Sequence, residues 1–143
     1  MQAEQGVTLI ELVTVIAVVA ALSAVAVPSA ARVRSAVSRA EAAGRLALVL
    51  RAAQAHAQSS GGPVRVEVGL AGDYAVTDST GEVVTRGGLG VDTSSTYPNG
   101  TLQFSPRGWA GLPGTASPRA GHFSIAGSPH TVVVQLSGCV RWS

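Results

Sequence analysis

One stretch limits this chain more than any other. Residues 7–27 read VTLIELVTVIAVVAALSAVAV, and Glu11 is their only ionisable side chain. A helix of about 20 such residues rises about 30 Å, the thickness of a bilayer's hydrocarbon core. Thr8, Thr14 and Ser23 are tolerable there, because a hydroxyl can bond back to a helix carbonyl. Glu11 is different. An acid near the centre of a bilayer costs about 2.5–3.5 kcal/mol on insertion scales, so it needs a partner or a task.

Two ordinary explanations compete. One is a plain signal anchor. The other is a cleaved secretory signal, with Ala24-Val25-Ala26 as the small-residue cut site and a mature chain starting near Val27. A secretory leader should begin with basic residues, whereas residues 1–6 contain no Lys or Arg and do contain Glu4. Neither explanation gives Glu11 a role.

Past Pro28 the apolar pattern becomes periodic. Val33, Val37, Ala40, Ala43, Leu46, Val49 or Leu50, and Ala53 recur at three- and four-residue spacing, while Arg32, Arg39, Glu41, Arg45 and Arg51 take much of the other surface. This predicts an amphipathic helix that runs to about Gln58 and ends at Ser59-Ser60-Gly61-Gly62-Pro63. Pro28 is expected to bend or locally melt the rod, and Gly44 to loosen its middle. The remainder reads as strands and turns. Strands are expected at 64–68, 73–77, 82–86, 101–105, 122–126, 131–136 and 139–142, with a Gly/Pro-rich loop at 107–119 carrying Trp109. One long helix followed by short consecutive strands predicts an α+β fold, its antiparallel sheet laid over the apolar face of the helix.

The charge is +2 on 143 residues, all basic residues are arginine, and no cluster of five or more exists, which is no nucleic-acid signature. His56, His122 and His130 are dispersed, without metal-ligand spacing. No nucleophile motif or phosphate loop occurs; the Gly-rich run at 86–90 lacks the Lys-Ser/Thr such a loop needs. Catalytic residues, metal and cofactor are all expected to be absent. Cys139 is the lone cysteine, so no internal disulfide can form; a small buried side chain is expected there ahead of an intermolecular bridge.

Gly6 followed by VTLIELVTVIAVVAALSAVAVP closely resembles the processing and assembly segment of type IV pilins and pseudopilins. The resemblance implies a leader of residues 1–6 removed by prepilin peptidase. The cut falls between Gly6 and Val7, and Val7 is then methylated. Glu11 matches the family's acid at the fifth mature position, and Pro28 its helix-kinking proline. Val7 stands where phenylalanine is usual, and the leader lacks the usual basic residue. The implied layout is a membrane-spanning assembly helix at 7–28, the amphipathic half of the same helix at 29–60, and a globular sheet domain at 61–143. The implied partners are the peptidase, membrane lipid, an inner-membrane assembly platform and other pilins or pseudopilins in a filament. The C-terminal domain lies outside the cytoplasm in this scheme. Arg32, Arg34 and Arg39 would by the positive-inside rule put that domain in the cytoplasm; the need for the leader to meet a cytoplasmic peptidase overrides it. The physics agrees with the resemblance. A cut after Gly6 creates an amine at the head of an apolar helix, and a neighbour's Glu11 can neutralise it.

The second half is similar to the GspH/FimT branch of that family. Phe104-Ser105-Pro106-Arg107-Gly108 fits its turn, and residues 130–141 fit its terminal hairpin and tail, with Cys139 where arginine is common. The resemblance implies a minor pilin of a type IV pilus or a pseudopilin of type II secretion. The alternative is a DNA-binding minor pilin used in DNA uptake and competence. There, Arg141 would meet phosphate, Trp142 would stack on a base, and Arg107 and Arg119 would add charge.

Overall fold

The protein is described here from a computed structural model covering residues 8–143, with the side chains of residues 25–29 and 31 left out of the description. The leader, Gly6 and the Val7 amine lie outside the described residues.

Helix α1 runs without a break over Leu9–Ser60. Its start follows from the sequence Thr-x-x-Glu, the signature of a capping box. The Thr8 hydroxyl accepts the Glu11 N–H at 3.3 Å, and the Thr8 carbonyl accepts the Leu12 N–H at 3.1 Å. Thr14 and Ser23 donate to the carbonyls of Ile10 and Val19 at 2.8 and 2.7 Å, as their place in an apolar helix demands. Of the two outcomes expected at Pro28, a bend or local melting, the helix does not melt. Proline removes one N–H, and the flanking turns keep the ladder going.

The chain divides into two compact units, Met1–Val37 and Ser38–Ser143. In the first, every large apolar side chain between residues 9 and 22 is more than half exposed. Among the described residues no helix is by itself long and apolar enough to cross a membrane. The apolar run of the sequence, residues 7–27, extends past the described side chains at both ends.

The second unit holds the core. Ala43, Leu46, Ala47, Leu50, Ala53 and Ala57 are buried along one stripe of α1, at the three- and four-residue spacing of a helix face. The expected stripe began earlier; Val33 and Val37 are 63% and 51% exposed instead. The alanines leave room for strands to come close, and the leucines fill between them.

Nine strands follow: β1 Val64–Val68, β2 Asp73–Thr77, β3 Val83–Gly88, β4 Thr93–Ser95, β5 Thr101–Phe104, β6 Ala110–Gly111, β7 Gly121–Ile125, β8 Thr131–Val134 and β9 Val140–Trp142. They form two antiparallel sheets rather than the single sheet expected, one ordered β3-β2-β1-β5-β6 and one ordered β4-β7-β8-β9. β1 buries Val64, Val66 and Val68 and sends Arg65 and Glu67 outward, so its period-two pattern is realised in full. Phe104 and Leu102 from the first sheet meet Phe123, Ile125, Val132 and Val134 from the second in one core. Each such buried side chain contributes about 1.5–3 kcal/mol.

Within the second unit, polar side chains of α1 tie the helix to main-chain carbonyls, from Arg39 to Gln54 near the far end where Ser60 ends it. Arg39 donates to the Gly127 carbonyl at 2.9 Å, Arg51 to Val140 at 3.0 Å and Gln54 to Gly108 at 2.9 Å. The helix continues through Gly44. Trp142 lies over it, and a Cβ at residue 44 would sit 3.9 Å from the indole.

Candidate functional site

Three groups of residues bear on function, and they lie in separate places. The first is Glu11, in the first turn of α1 and exposed. Its backbone N–H is taken by Thr8. The sequence motif that signals this cap is visible beforehand, yet sequence reasoning assigned Thr8 only to back-bonding within the helix. The N-terminal end of a helix favours a carboxylate in its first turn, because the free N–H groups carry partial positive charge.

The second group is the C-terminal strand. Arg141 pairs across from Val133 and Trp142 across from Val132 on β8. Adjacent strand residues point to opposite faces. Val140 is buried on the helix side, so Trp142 shares that side while Arg141 faces away. Trp142 is also held edge-on by His130, with ring centres 5.9 Å apart, and His130 Nδ1 lies 3.0 Å from the Ser143 carbonyl. The structure therefore separates Arg141 from Trp142 and gives the indole a packing role. Arg51 adds a second guanidinium beside β9 through its bond to Val140.

The third group is a pair of turns pressed together at the far end. The β5–β6 turn closes through Gly108 N–H to Ser105 carbonyl at 2.8 Å and Trp109 N–H to the Ser105 hydroxyl at 3.1 Å. The β8–β9 turn closes through Gly138 N–H to Gln135 carbonyl at 2.8 Å. Ala110 N–H reaches the Leu136 carbonyl at 3.4 Å and joins the two. Arg107 stands over the Trp109 ring with its guanidinium carbon 5.9 Å from the centroid. Trp109 and Leu136 are 45% and 55% exposed. Cys139, next to them, is exposed rather than buried as expected, because the residue after it, Val140, takes the inward position.

Arg119 belongs to neither turn. Its N–H donates to the Ala110 carbonyl at 2.8 Å, and its own carbonyl accepts the Tyr97 hydroxyl at 3.2 Å. Tyr97 is buried against Phe123, ring centres 5.6 Å apart, and loss of water pushes its phenol up to about 12. Asp78 caps the β2–β3 turn; the Thr80 hydroxyl bonded to it holds its carboxyl below the usual range. Among the described residues no group of three or more His, Cys, Asp or Glu side chains could hold a metal ion.

Comparison with known proteins fits this arrangement. The family model described as Type II transport protein GspH matches residues 42–138. It begins at Ala42, the first buried residue of α1, and stops short of β9, so it speaks for the globular unit and not for residues 7–28. No curated protein matches. Among solved structures, the chain is similar to the type IV minor pilin FimU of Pseudomonas aeruginosa in two crystal forms. One gives 15% identity, a TM-score of 0.58, and coverage of 72% of this chain and 90% of that one. The other gives 14% identity, the same score, and coverage of 72% and 86%. The likeness is one of fold: a long helix with antiparallel sheets against its second half. With the family model spanning well over half of the sequence, the chain belongs to the GspH family and is a type IV pilin-like protein of the GspH/FimT type.

Proposed function

We propose that this chain is a non-enzymatic filament subunit, stored in the inner membrane and assembled through α1 into a type IV pilus or a type II secretion pseudopilus. The leader is removed after Gly6, Val7 carries the methylated amine, and residues 7–28 span the membrane with the sheet domain outside the cytoplasm. In the filament the Val7 amine of one subunit meets Glu11 of its neighbour. The observation that carries this reading is the first half of α1. It is an unbroken helix that exposes every large apolar side chain between residues 9 and 22 and carries a single acid in its capped first turn. Such a surface is stable only in lipid or against other apolar helices. A buried charge without its partner costs about 3–5 kcal/mol, which would make the Glu11 pairing set the axial register.

Mass spectrometry of the mature N-terminus tests the processing step, with methylated Val7 expected and an intact leader or a start near Val27 refuting it. Glu11→Gln removes the charge and keeps the shape, and recovery in sheared or secreted filaments should drop by about two orders of magnitude. Normal recovery would refute the pairing.

DNA uptake is the second reading. What supports it is Arg107 over the exposed Trp109, a cation and a ring facing solvent together. The Arg141–Trp142 version is weaker, since those side chains leave opposite faces of β9.

A further inference from the structure

A sheet edge carries a row of main-chain N–H and C=O groups without partners, and folded chains normally guard it. The two sheets end on four strands, β3, β6, β4 and β9, and three of these are guarded. At β9 the Val140 carbonyl is taken by the Arg51 guanidinium at 3.0 Å. At β6 the chain returns at Pro118 and pairs with Gly111. β3 carries the charge of Arg86 and a register shift against β2, both of which discourage a further strand. β4 has neither charge, register shift nor cover along Thr93–Ser95.

The bonds of β4 show what its open side lacks. The Asp92 carbonyl accepts the Ala126 N–H, and the Thr96 N–H donates to the His122 carbonyl, both on the β7 side. Thr93 and Ser95 therefore turn their main-chain groups the other way. There the Thr93 N–H meets the Leu70 carbonyl at 2.8 Å, and the Thr93 hydroxyl donates to the Gly69 carbonyl at 2.8 Å. Past that join the two segments are not bonded. Among the described residues nothing pairs with the Thr93 carbonyl, the Ser95 N–H or the Ser95 carbonyl. A cleft of 440 Å³ opens beside them, lined by Val68, Leu70, Thr93, Ser95, Tyr97 and Gly100 among others. Its walls are mainly apolar and hold no charged side chain.

Unpaired main-chain donors and acceptors over an uncharged apolar floor suit an extended polypeptide. Its backbone supplies the complementary groups, and alternate side chains can enter the cleft. A charged ligand finds no counter-charge there, and a compact apolar molecule would displace water from three polar groups and leave them unpaired. We propose that β4 accepts an extended, uncharged segment of a different protein as an added strand, with one of its apolar side chains filling the cleft. The edge is short and its free groups are few, so the buried side chain matters as much as the ladder. This chain's own strands are all engaged in its two sheets, so the segment comes from elsewhere. The contact needs neither cleavage after Gly6 nor the pairing of Glu11, and it stands or falls separately from the filament reading.

The probe is a capped peptide of about seven alternating valine and threonine residues with a solubilising tail, titrated into the full chain in detergent. Binding is read by amide hydrogen exchange, and protection should rise about tenfold at the Ser95 N–H. Successive residues of a strand turn their N–H groups to opposite sides. N-methylation of one alternate set should therefore weaken binding about tenfold or more, and of the other set change it little. Ser95→Pro removes the cleft-facing N–H and should abolish binding. Ser95→Ala keeps that N–H, loses the same hydroxyl contact to the Tyr97 N–H, and should bind as the unsubstituted chain does. Equal loss from both methylated sets, or from both Ser95 substitutions, puts a compact group in the cleft and overturns the added strand. Protection at Arg86 in place of Ser95 moves the strand to β3 and overturns it too. So does the absence of binding at about 1 mM peptide.

Discussion

Gly138→Ala should destabilise the globular unit far more than an ordinary glycine replacement, and the reason is the meeting of two turns. Gly138 has φ of +80°, in the left-handed region, and a Cβ built there would fall on the Gly108 carbonyl oxygen and the Gln54 amide. The conformational part costs about 1–2 kcal/mol for an L-residue. Moving Gly108 away also loses the bond Gln54 makes to its carbonyl, about 0.5–1.5 kcal/mol more. The total is roughly 1.5–3.5 kcal/mol, which for a unit near 100 residues lowers the melting temperature by roughly 6–28 °C. Gly114→Ala is the control: φ there is +73°, and nothing lies within 4 Å of the new methyl. It carries the conformational cost alone. Thermal unfolding of the full chain in detergent, followed by tryptophan fluorescence, compares the two. If Gly138→Ala melts within a degree or two of Gly114→Ala, the helix and the two turns are not in the close contact on which the far-end surface is built.

Three other outcomes follow from the packing. Gly44→Ala should stabilise by roughly 1 kcal/mol, since alanine is the better helix former and its methyl meets Trp142 at an ordinary 3.9 Å; a fall in melting temperature would contradict it. Stability should fall from about pH 10 upward. The buried Tyr97 keeps its proton to about 12 while the unfolded chain releases it near 10, so the folded state alone still binds that proton in between. Tyr97→Phe should flatten that slope in a pH series of unfolding curves. For the DNA reading, the full chain should shift duplex or single-stranded DNA at low salt, with Arg107→Ala weakening the shift; no shift at low salt ends that reading.

Much of the architecture was legible because the period of the apolar residues changes cleanly along the chain. The helix stops where Ser59-Ser60-Gly61-Gly62-Pro63 says it should, and the strands at 64–68 and 73–77 have the bounds expected of them. β4 and β6 were missed for physical reasons. Thr93–Ser95 carries no large apolar residue, and Ala110–Gly111 is two residues long, so both are strands only because a neighbour pairs with them. Without β4 the split into two sheets was invisible. Cys139 was misjudged because inside and outside alternate with period two, and a turn of unknown length sets the phase. Arg141 and Trp142 look like one basic-aromatic unit in sequence; only the strand's pleat shows that they diverge. Thr8 and Glu11, three residues apart in a recognised cap pattern, were the one local signal available and unused.

Val33 and Val37 show where the sequence stops describing one molecule. They continue the periodic stripe of Ala43, Leu46 and Leu50 toward the N-terminus, with the same spacing. Both are more than half exposed, whereas the stripe is buried from Ala42 onward. A sequence selected only to fold alone would turn polar where its own sheets end. This one stays apolar on that face for two further turns and then over the whole helix surface back to Leu9. The same sequence places Arg32 and Arg34 on either side of Val33, so long side chains with apolar stems and charged heads border that face. The second half of α1 is thus covered by this chain's own sheets, while the described apolar side chains of the first half stay exposed.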